Sequence, residues 1–575
     1  MTVSISSSSD VNLDEALQRF WQQEKVPALP RARLTAEELE CVNHFRSTHS
    51  RDNTRRYIVR LPFRAGCGEL GSSRSAALRL LERMQHQIRR DAIFGQLYVA
   101  FMKEYEALGH MTHSSTSSST GANFLPHHGV LRQNSSTTKL RVVFNGSART
   151  SSGLSLNDCL HVGPKLHQDI DAVLLRWRVH AFVFAADIEK MFRQILLHAD
   201  DQHFQKILWS ASGTPLEYFL GTLTYGLVSS PYQSIQTLLQ LADDEEHRFP
   251  LAANVLRFDF YVDDVLLGDD TPQRAHEKVH QLTNLLKAGG FKLQKWSTNE
   301  SSILEDIVVP APSSSSTREF DAETRMLGLT WHPSSDTFHF RVSQSDSSVT
   351  PTKRIVLSRV SQLFDPLGWL SPVTILGKIF IQSLWKAQVG WDEPLSPSLS
   401  LQWMEFSREL CNVQAYAIPR WLHTRSDSQT LELHGFSDAS QNALGAVIFL
   451  RTFSDIDDVK VTLVAAKSKV APLKKQTIPR LELSAAVLFV RLLARIRSIL
   501  KYHHVPAHLW VDSSVCLAWI RGCPFQWQEF VANRVAVIQE LAPDARWHHV
   551  IGTENPADCA SRGLLPRLLA HHQLW

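Results

Sequence analysis

One stretch constrains the fold more than any other. Phe258-Asp259-Phe260-Tyr261-Val262-Asp263-Asp264-Val265-Leu266-Leu267 sets two adjacent carboxylates inside a strongly β-forming run. Side chains alternate along a strand, so Asp263 and Asp264 would face opposite ways and one would enter the core, where an unpaired carboxylate is costly. A tight hairpin with the acids at its tip removes the conflict. Upstream, Phe182-Val183-Phe184-Ala185-Ala186-Asp187 is an apolar run that ends in a carboxylate, which should bring Asp187 to a sheet edge. An Asp-Asp pair alone is commonly a solvated turn, but an acid-ended strand followed by an acid-tipped hairpin is more specific. Three carboxylates gathered in this way suit Mg²⁺, and two such ions about 3.5 to 4 Å apart clamp the attacking and leaving oxygens of phosphoryl transfer.

A second set of acids lies near the C-terminal end. Asp438 follows His434-Gly435-Phe436-Ser437, and Asp512 follows Leu509-Trp510-Val511, each a short β-rich run. Pro479 stands just ahead of a periodic apolar run, a helix-start signal that places Glu482 in a first turn able to face a sheet. Asp558 closes Asn555-Pro556-Ala557-Asp558. Singly, each acid reads as a surface residue; together they form a second candidate metal centre.

The chain has 575 residues, enough at roughly 150 per domain for about four folded units. Lys plus Arg number 60 against 57 Asp plus Glu, so the net charge of +3 excludes nucleic-acid binding by bulk positive charge and leaves a local groove. Seven scattered cysteines with no C-x-x-C pair argue against a disulfide framework and fit a reducing compartment. Met1 to Asp10 is serine-rich and lacks a secretory pattern. Tyr218 to Ala242 carries no formal charge but holds Gln233, Gln236, Gln240 and Pro231, so it reads as buried core and not as a membrane span. Ser114 to Ser119 and Pro310 to Thr317 read as linkers. The fold class expected is α+β, with a helical N-terminal region at 1–115, a sheet-based unit at 116–335, a connecting region at 336–430, a mixed α/β unit at 431–565 and a tail at 566–575.

Ordered motifs resemble those of reverse transcriptases. Lys139-Leu140-Arg141-Val142-Val143-Phe144 looks like the fingers strand, Ala186-Asp187 the first palm motif, and Tyr225-Gly226-Leu227-Val228-Ser229-Ser230-Pro231 the second. Tyr261-Val262-Asp263-Asp264 resembles the third, Gly290-Phe291-Lys292-Leu293-Gln294-Lys295-Trp296 the fourth, and Leu327-Gly328-Leu329 the primer grip. The pattern is similar in particular to BEL/Pao long-terminal-repeat retrotransposon polymerases. That likeness includes His49-Ser50-Arg51-Asp52, Arg60-Leu61-Pro62-Phe63, Leu108-Gly109-His110-Met111, Leu363-Phe364-Asp365-Pro366-Leu367-Gly368 and Trp391-Asp392-Glu393-Pro394. The four C-terminal acids resemble a ribonuclease H active site.

The resemblance implies a right-hand polymerase of fingers, palm and thumb followed by a ribonuclease H-like domain, with fingers and palm at 116–335 and thumb and connection at 336–430. It implies that Asp187, Asp263 and Asp264 hold two Mg²⁺ or Mn²⁺ ions, and that Asp438, Glu482, Asp512 and Asp558 hold two more. Phe192 would lie under the incoming sugar, Arg141 on the triphosphate, Tyr225 near the nascent base pair and Lys295 near the leaving phosphate; a core phenylalanine, a solvated strand arginine, a core tyrosine and a solvated lysine are the plain alternatives. Implied partners are an RNA template, a DNA primer, the RNA–DNA hybrid and dNTPs, with no membrane, in the cytoplasm, in virus-like particles there, or in the nucleus. Asn145 departs from the aspartate usual after Val-Val-Phe, and His548 and His549 precede the position of the loop histidine in retroviral forms, so neither is assigned a role. No Asp-Thr-Gly or Asp-Ser-Gly triplet occurs, so the expectation is the reverse transcriptase and ribonuclease H portion of a Pol polyprotein, and the rival is a decayed or domesticated nucleic-acid-binding relic.

Overall fold

The computed structural model describes residues 26, 34–114, 123–131, 140–304, 324–342, 349–425, 430–453 and 458–575. Most of the two serine-rich linker stretches and Lys139 of the fingers motif fall outside these residues. The N-terminal part contains α1 (Ala36–Thr48), α2 (Arg74–Arg90) and α3 (Ala92–Ala107). The start of α1 is fixed by a reciprocal cap, in which Thr35 Oγ1 accepts from Glu38 N and Glu38 Oε2 accepts from Thr35 N. The helical run is broken by two short strands, Ser50–Arg51 and Tyr57–Val59. This region is no separate layer, because Phe45, Tyr57, Leu81, Phe94 and Tyr105 enter one core with the palm.

The fingers ribbon pairs β1 (His127–Leu131) with β2 (Leu140–Phe144). Next come α4 (Ile170–Val179), β3 (Phe182–Ile188), α5 (Ser230–Glu245), α6 (Pro250–Phe258), β4 (Phe260–Tyr261), β5 (Asp264–Asp269), α7 (Pro272–Ala288) and β6 (Leu293–Thr298). The palm sheet runs β4-β5-β3-β6, all antiparallel. Alternation splits its two faces between two cores. Phe184, Ala186, Ile188, Val265 and Leu267 join the fingers core, while Val183, Ala185 and Leu266 join a second core with α4. A sheet covered on both sides needs apolar residues at successive positions, which is why β3 and β5 read as unbroken hydrophobic runs.

Beyond the palm, β7 (Thr324–Met326), β8 (Leu329–His332) and β9 (Thr337–His339) are joined by β10 (Ala417–Pro419), which returns after an excursion of helices α8 (Lys353–Ser361), α9 (Ser371–Lys386) and α10 (Pro397–Glu409). The C-terminal sheet has β11 (Thr430–Ala439), β12 (Ala443–Phe453) and β13 (Val459–Val470) antiparallel, then β14 (Ala507–Val511) parallel to β11 and β15 (Arg546–His549) parallel to β14. The long helix α11 (Ile478–Leu500) packs on it; α12 (Ser514–Arg521), α13 (Glu529–Leu541) and α14 (Ala557–Arg562) complete the unit.

The C-terminal unit is docked firmly on the palm. Fully buried Arg178 of α4 donates to the carbonyls of Pro419, Arg420, Leu463 and Val464 at 2.8–3.1 Å. Arg420, equally buried, grips Asp336 with two nitrogens at 2.6 and 2.7 Å and donates to the carbonyls of Trp177, His180 and Ala181. The Leu363–Gly368 motif belongs to the same junction. Asp365 accepts from Trp369 N and Leu370 N at the head of α9, Leu367 O accepts from Ala466 N of β13, and a β-carbon on Gly368 (φ +76°) would collide with Ala466 O. Palm, connection and C-terminal sheet therefore share one hydrophobic core.

Against the expectation of a chain without a disulfide framework, one bridge is present: Cys67 and Cys159 form a disulfide, with Cα atoms 5.4 Å apart. Two segments distant in sequence, the second closing the one-turn helix Leu156–Cys159, are aligned there by Arg64 N donating to Cys159 O and His161 N to Pro62 O. Spacing along the chain carries no trace of such a meeting. Among the described residues no helix is long and apolar enough to cross a membrane, and the uncharged stretch 218–242 runs from the end of a strand (Leu216–Leu220) through a connecting segment into α5, with Gln233 buried.

Candidate active sites

At the palm, Val262 and Asp263 form the two-residue turn between β4 and β5, with Val262 in the left-handed region at φ +60°. The turn answers the alternation problem: Asp263 is exposed at the tip, and Asp264 starts β5 directly opposite Asp187 of β3. Asp187 shares a face with Val183 and Ala185, and Asp264 with Leu266, so both acids point to one side. Ile188 N donates to Asp263 O and secures the tip against β3.

Burial, then the charges of Asp263 and Asp187, push the Asp264 carboxyl up to about 7, while a backbone hydrogen bond from Leu327 partly offsets them. Leu327 is the first residue of the Leu-Gly-Leu turn between β7 and β8, so that hairpin touches the acids. Asp263 is exposed by surface area yet seated among protein atoms; this desolvation and the Asp187 charge raise it too. Asp187 is held by Lys295 Nζ at 2.9 Å and Gln294 Nε2 at 3.3 Å, from a bulge in β6 where Lys295 takes φ +56°.

The structure places the other palm candidates around this cluster. Arg141 is exposed on β2, lies over the Tyr225 ring at 5.3 Å and is close enough to lower Asp263's pKa. Tyr225 is half-buried; its hydroxyl accepts from Arg193 at 3.3 Å, a neighbour that no motif announced. Phe192 is also half-buried and packs on the fingers core, so its ring is only partly committed to packing. Gly226 has φ +101°, and a β-carbon there would collide with the Phe144 carbonyl, so only glycine lets this turn lie against the fingers strand. Asn145 accepts from Ser147 N through Oδ1 at 3.0 Å, a local turn that Asn serves as well as Asp.

The second centre gathers the four C-terminal acids. Asp438 is the penultimate residue of β11 and is 4% exposed; Ser561 Oγ of α14 donates to it. Asp512 follows β14, Asp558 lies in α14, and Glu482 is the fifth residue of α11, one residue past the first turn in which the sequence places it. Burial first, and then the neighbouring acids, raise Asp438, Glu482 and Asp558; Ser561, Ser513 and Arg562 respectively act in the opposite sense. Ser561 and Ser513 went unnoticed in the sequence, although each lies within three residues of an acid. His549 Nε2 meets the Asp512 carbonyl at 3.0 Å, and His548 stacks on Trp510, so neither aims at the acids.

Among the described residues, no three such side chains converge into a ready metal cage. Lys295 and Gln294 occupy Asp187, and Arg562 occupies Asp558. Two observations nevertheless fit a missing cation. Glu482 Oε2 and Asp512 Oδ1 are buried without a hydrogen-bond partner, and both clusters are sets of acids whose pKa values are raised partly by one another. An all-oxygen donor set of this kind matches a hard divalent ion such as Mg²⁺.

Comparison with known proteins agrees with this geometry. Residues 352–513 match the family described as the Pao retrotransposon-like RNaseH-like domain, a span that runs from α8 through Asp512. No curated protein matches the chain. A foamy viral protease-reverse transcriptase solved in complex with double-stranded DNA is 12% identical, with a TM-score of 0.50 over 95% of this chain and 83% of that one. A foamy viral protease-reverse transcriptase in complex with an RNA/DNA hybrid is 12% identical, with a TM-score of 0.46 over 95% of this chain and 64% of that one. At such identity the likeness is one of fold. Residues 352–513 thus match the Pao retrotransposon-like RNaseH-like domain, and the chain as a whole has a fold similar to that of a reverse transcriptase.

Proposed function

We propose that the protein is an RNA-directed DNA polymerase with ribonuclease H activity, the reverse transcriptase and ribonuclease H portion of a BEL/Pao Pol, acting in the cytoplasm, in virus-like particles there, or in the nucleus. The observation that carries this reading is the register of Asp187 opposite Asp264 with Asp263 at the adjoining tip, inside a reverse-transcriptase fold. Asp187, Asp263 and Asp264 would hold Mg²⁺ or Mn²⁺ in the palm, and Asp438, Glu482, Asp512 and Asp558 in the nuclease. Bound there, the ions would supply Lewis-acid stabilisation of the attacking and leaving oxygens.

The chain's own residues do the rest. The planar guanidinium of Arg141, held over Tyr225, suits the triphosphate of a dNTP. Phe192 closes the space where a ribose 2′-hydroxyl would lie. Lys295 holds Asp187 in place beside the site of the leaving phosphate. In the nuclease, Ser561 and Ser513 orient Asp438 and Glu482, and the hybrid is recognised by backbone shape and 2′-hydroxyls, without base readout. The relic reading finds little support, because Asn145 serves a local turn and all seven acids are present. Purified protein given a primed RNA template, dNTPs and Mg²⁺ should extend the primer and shorten the RNA; no extension would overturn the polymerase reading.

A further inference from the structure

Resting on the polymerase reading above, we propose that Arg495, on the nuclease helix α11, is a positioning residue for the polymerase centre. Its side chain is 8% exposed and reaches out of the nuclease unit to the first turn of α4 in the palm. There Nε and Nη2 grip the two oxygens of Asp171, each at 3.0 Å, and Nη2 also bonds Asp169 at 2.8 Å. Asp169 has a second partner in Lys165, at 2.6 Å. Asp171, only 17% exposed, relies on Arg495 for its ion pair.

What α4 holds is the acid-tipped hairpin. In the segment just before it, the His167 ring stands edge-on to Tyr261 at 5.8 Å, and Gln168 Nε2 donates to Arg257 O at 3.3 Å. From within it, Arg176 donates to Asp259 Oδ1 at 3.2 Å and to Phe258 O, and Trp177 Nε1 donates to Leu267 O of β5 at 3.2 Å. The acid-tipped hairpin is therefore fastened to this ten-residue helix and the segment just before it, and the first turn of the helix is clamped by the nuclease.

Removing Arg495 takes the ion pair from Asp171 and leaves Asp169 with Lys165 alone, so a poorly solvated carboxylate is left short of donors and the first turn of α4 loses its tether to the nuclease unit. Arg495 touches no reacting atom. Its effect passes through α4 to the placement of the acids, and a shift of about 1 Å there is enough to slow chemistry up to a hundredfold.

The test compares parent, Arg495→Ala, Arg495→Lys, Asp171→Asn and the Arg495→Ala/Asp171→Asn double variant as full-length proteins. Primer extension on a primed RNA template with Mg²⁺ is read as kcat and dNTP KM, beside cleavage of a preformed hybrid and thermal melting. The proposal expects Arg495→Ala to lower the extension kcat by about tenfold, with dNTP KM and hybrid cleavage within about twofold of the parent. Lys should restore part of the loss, Asp171→Asn should give the same pattern, and the Arg495→Ala/Asp171→Asn double variant should be no worse than either single one. Unchanged extension in Arg495→Ala and Asp171→Asn overturns the proposal. So does equal loss of both activities together with melting temperature, which makes the contact merely structural. A parent that extends no primer refutes the polymerase reading itself, and the proposal falls with it.

Discussion

Arg178→Met probes the shared core that joins palm and nuclease. The wild-type guanidinium is fully buried, donates to four main-chain carbonyls and stacks 4.9 Å from the Trp369 ring. Met matches its bulk but donates nothing. Val464 O keeps the Trp369 indole N–H at 3.1 Å, so three carbonyls lose a donor. At about 1 to 2 kcal/mol for each buried acceptor left short, the loss is about 3 to 6 kcal/mol. Part of it is offset, because a buried guanidinium facing carbonyls alone is itself costly; burial, and then the Arg420 charge, push Arg178 down to about 9. We expect a net destabilisation of about 3 kcal/mol for Met, and about half that for Lys, which keeps one or two of the bonds. Urea unfolding followed by tryptophan fluorescence reports it, since Trp177, Trp331 and Trp369 are fully buried at this junction. A Met variant within about 0.5 kcal/mol of the parent would refute the view that these four bonds hold the two halves together.

Three further outcomes follow from the palm geometry. Phe192→Val should raise ribonucleotide incorporation relative to dNTP use, and an unchanged ratio in competition assays would make the ring ordinary core. Gly226→Ala should cost about 2 kcal/mol or more in chemical denaturation and depress primer extension, because it adds a collision with the Phe144 carbonyl to left-handed backbone strain. Asp264 has its pKa raised to about 7, so the metal-free protein is favoured while this group is protonated and loses that stability as pH rises from about 4 through about 7. Asp264→Asn should therefore raise the melting temperature of the metal-free protein at pH 8 but not at pH 4; equal melting at both would remove the repulsion argument.

The carboxylates were legible in the sequence because their signals are local. A β run cannot bury Asp263-Asp264, so a turn was required, and the same alternation that split the faces of β3 set Asp187 beside Asp264. Pro479 likewise announced α11, with Glu482 one residue beyond the expected first turn. The junction was not legible. Arg178, Arg420 and Arg495 look in sequence like any arginine near an apolar run, and their partners lie 84 to 326 residues away. The Leu363–Gly368 motif was recognised as a family mark, yet its work, capping α9 with a half-buried Asp365 and seating Gly368 on Ala466, emerges only once β13 is beside it. The Cys67–Cys159 pair is hidden for the same reason.

The central claim is that one chain houses two separate carboxylate centres with different chemistry. Its most direct test assays the parent, Asp263→Asn and Glu482→Gln side by side on one end-labelled RNA template with a labelled DNA primer, dNTPs and Mg²⁺, reading primer length and RNA length from the same samples. The account predicts that the parent lengthens the primer and shortens the RNA. Asp263→Asn should lose extension while still cleaving a preformed hybrid, and Glu482→Gln should extend at the parent's rate and leave the RNA intact. Either variant retaining the activity assigned to its centre, at the parent's rate and with unchanged folding, would contradict the claim.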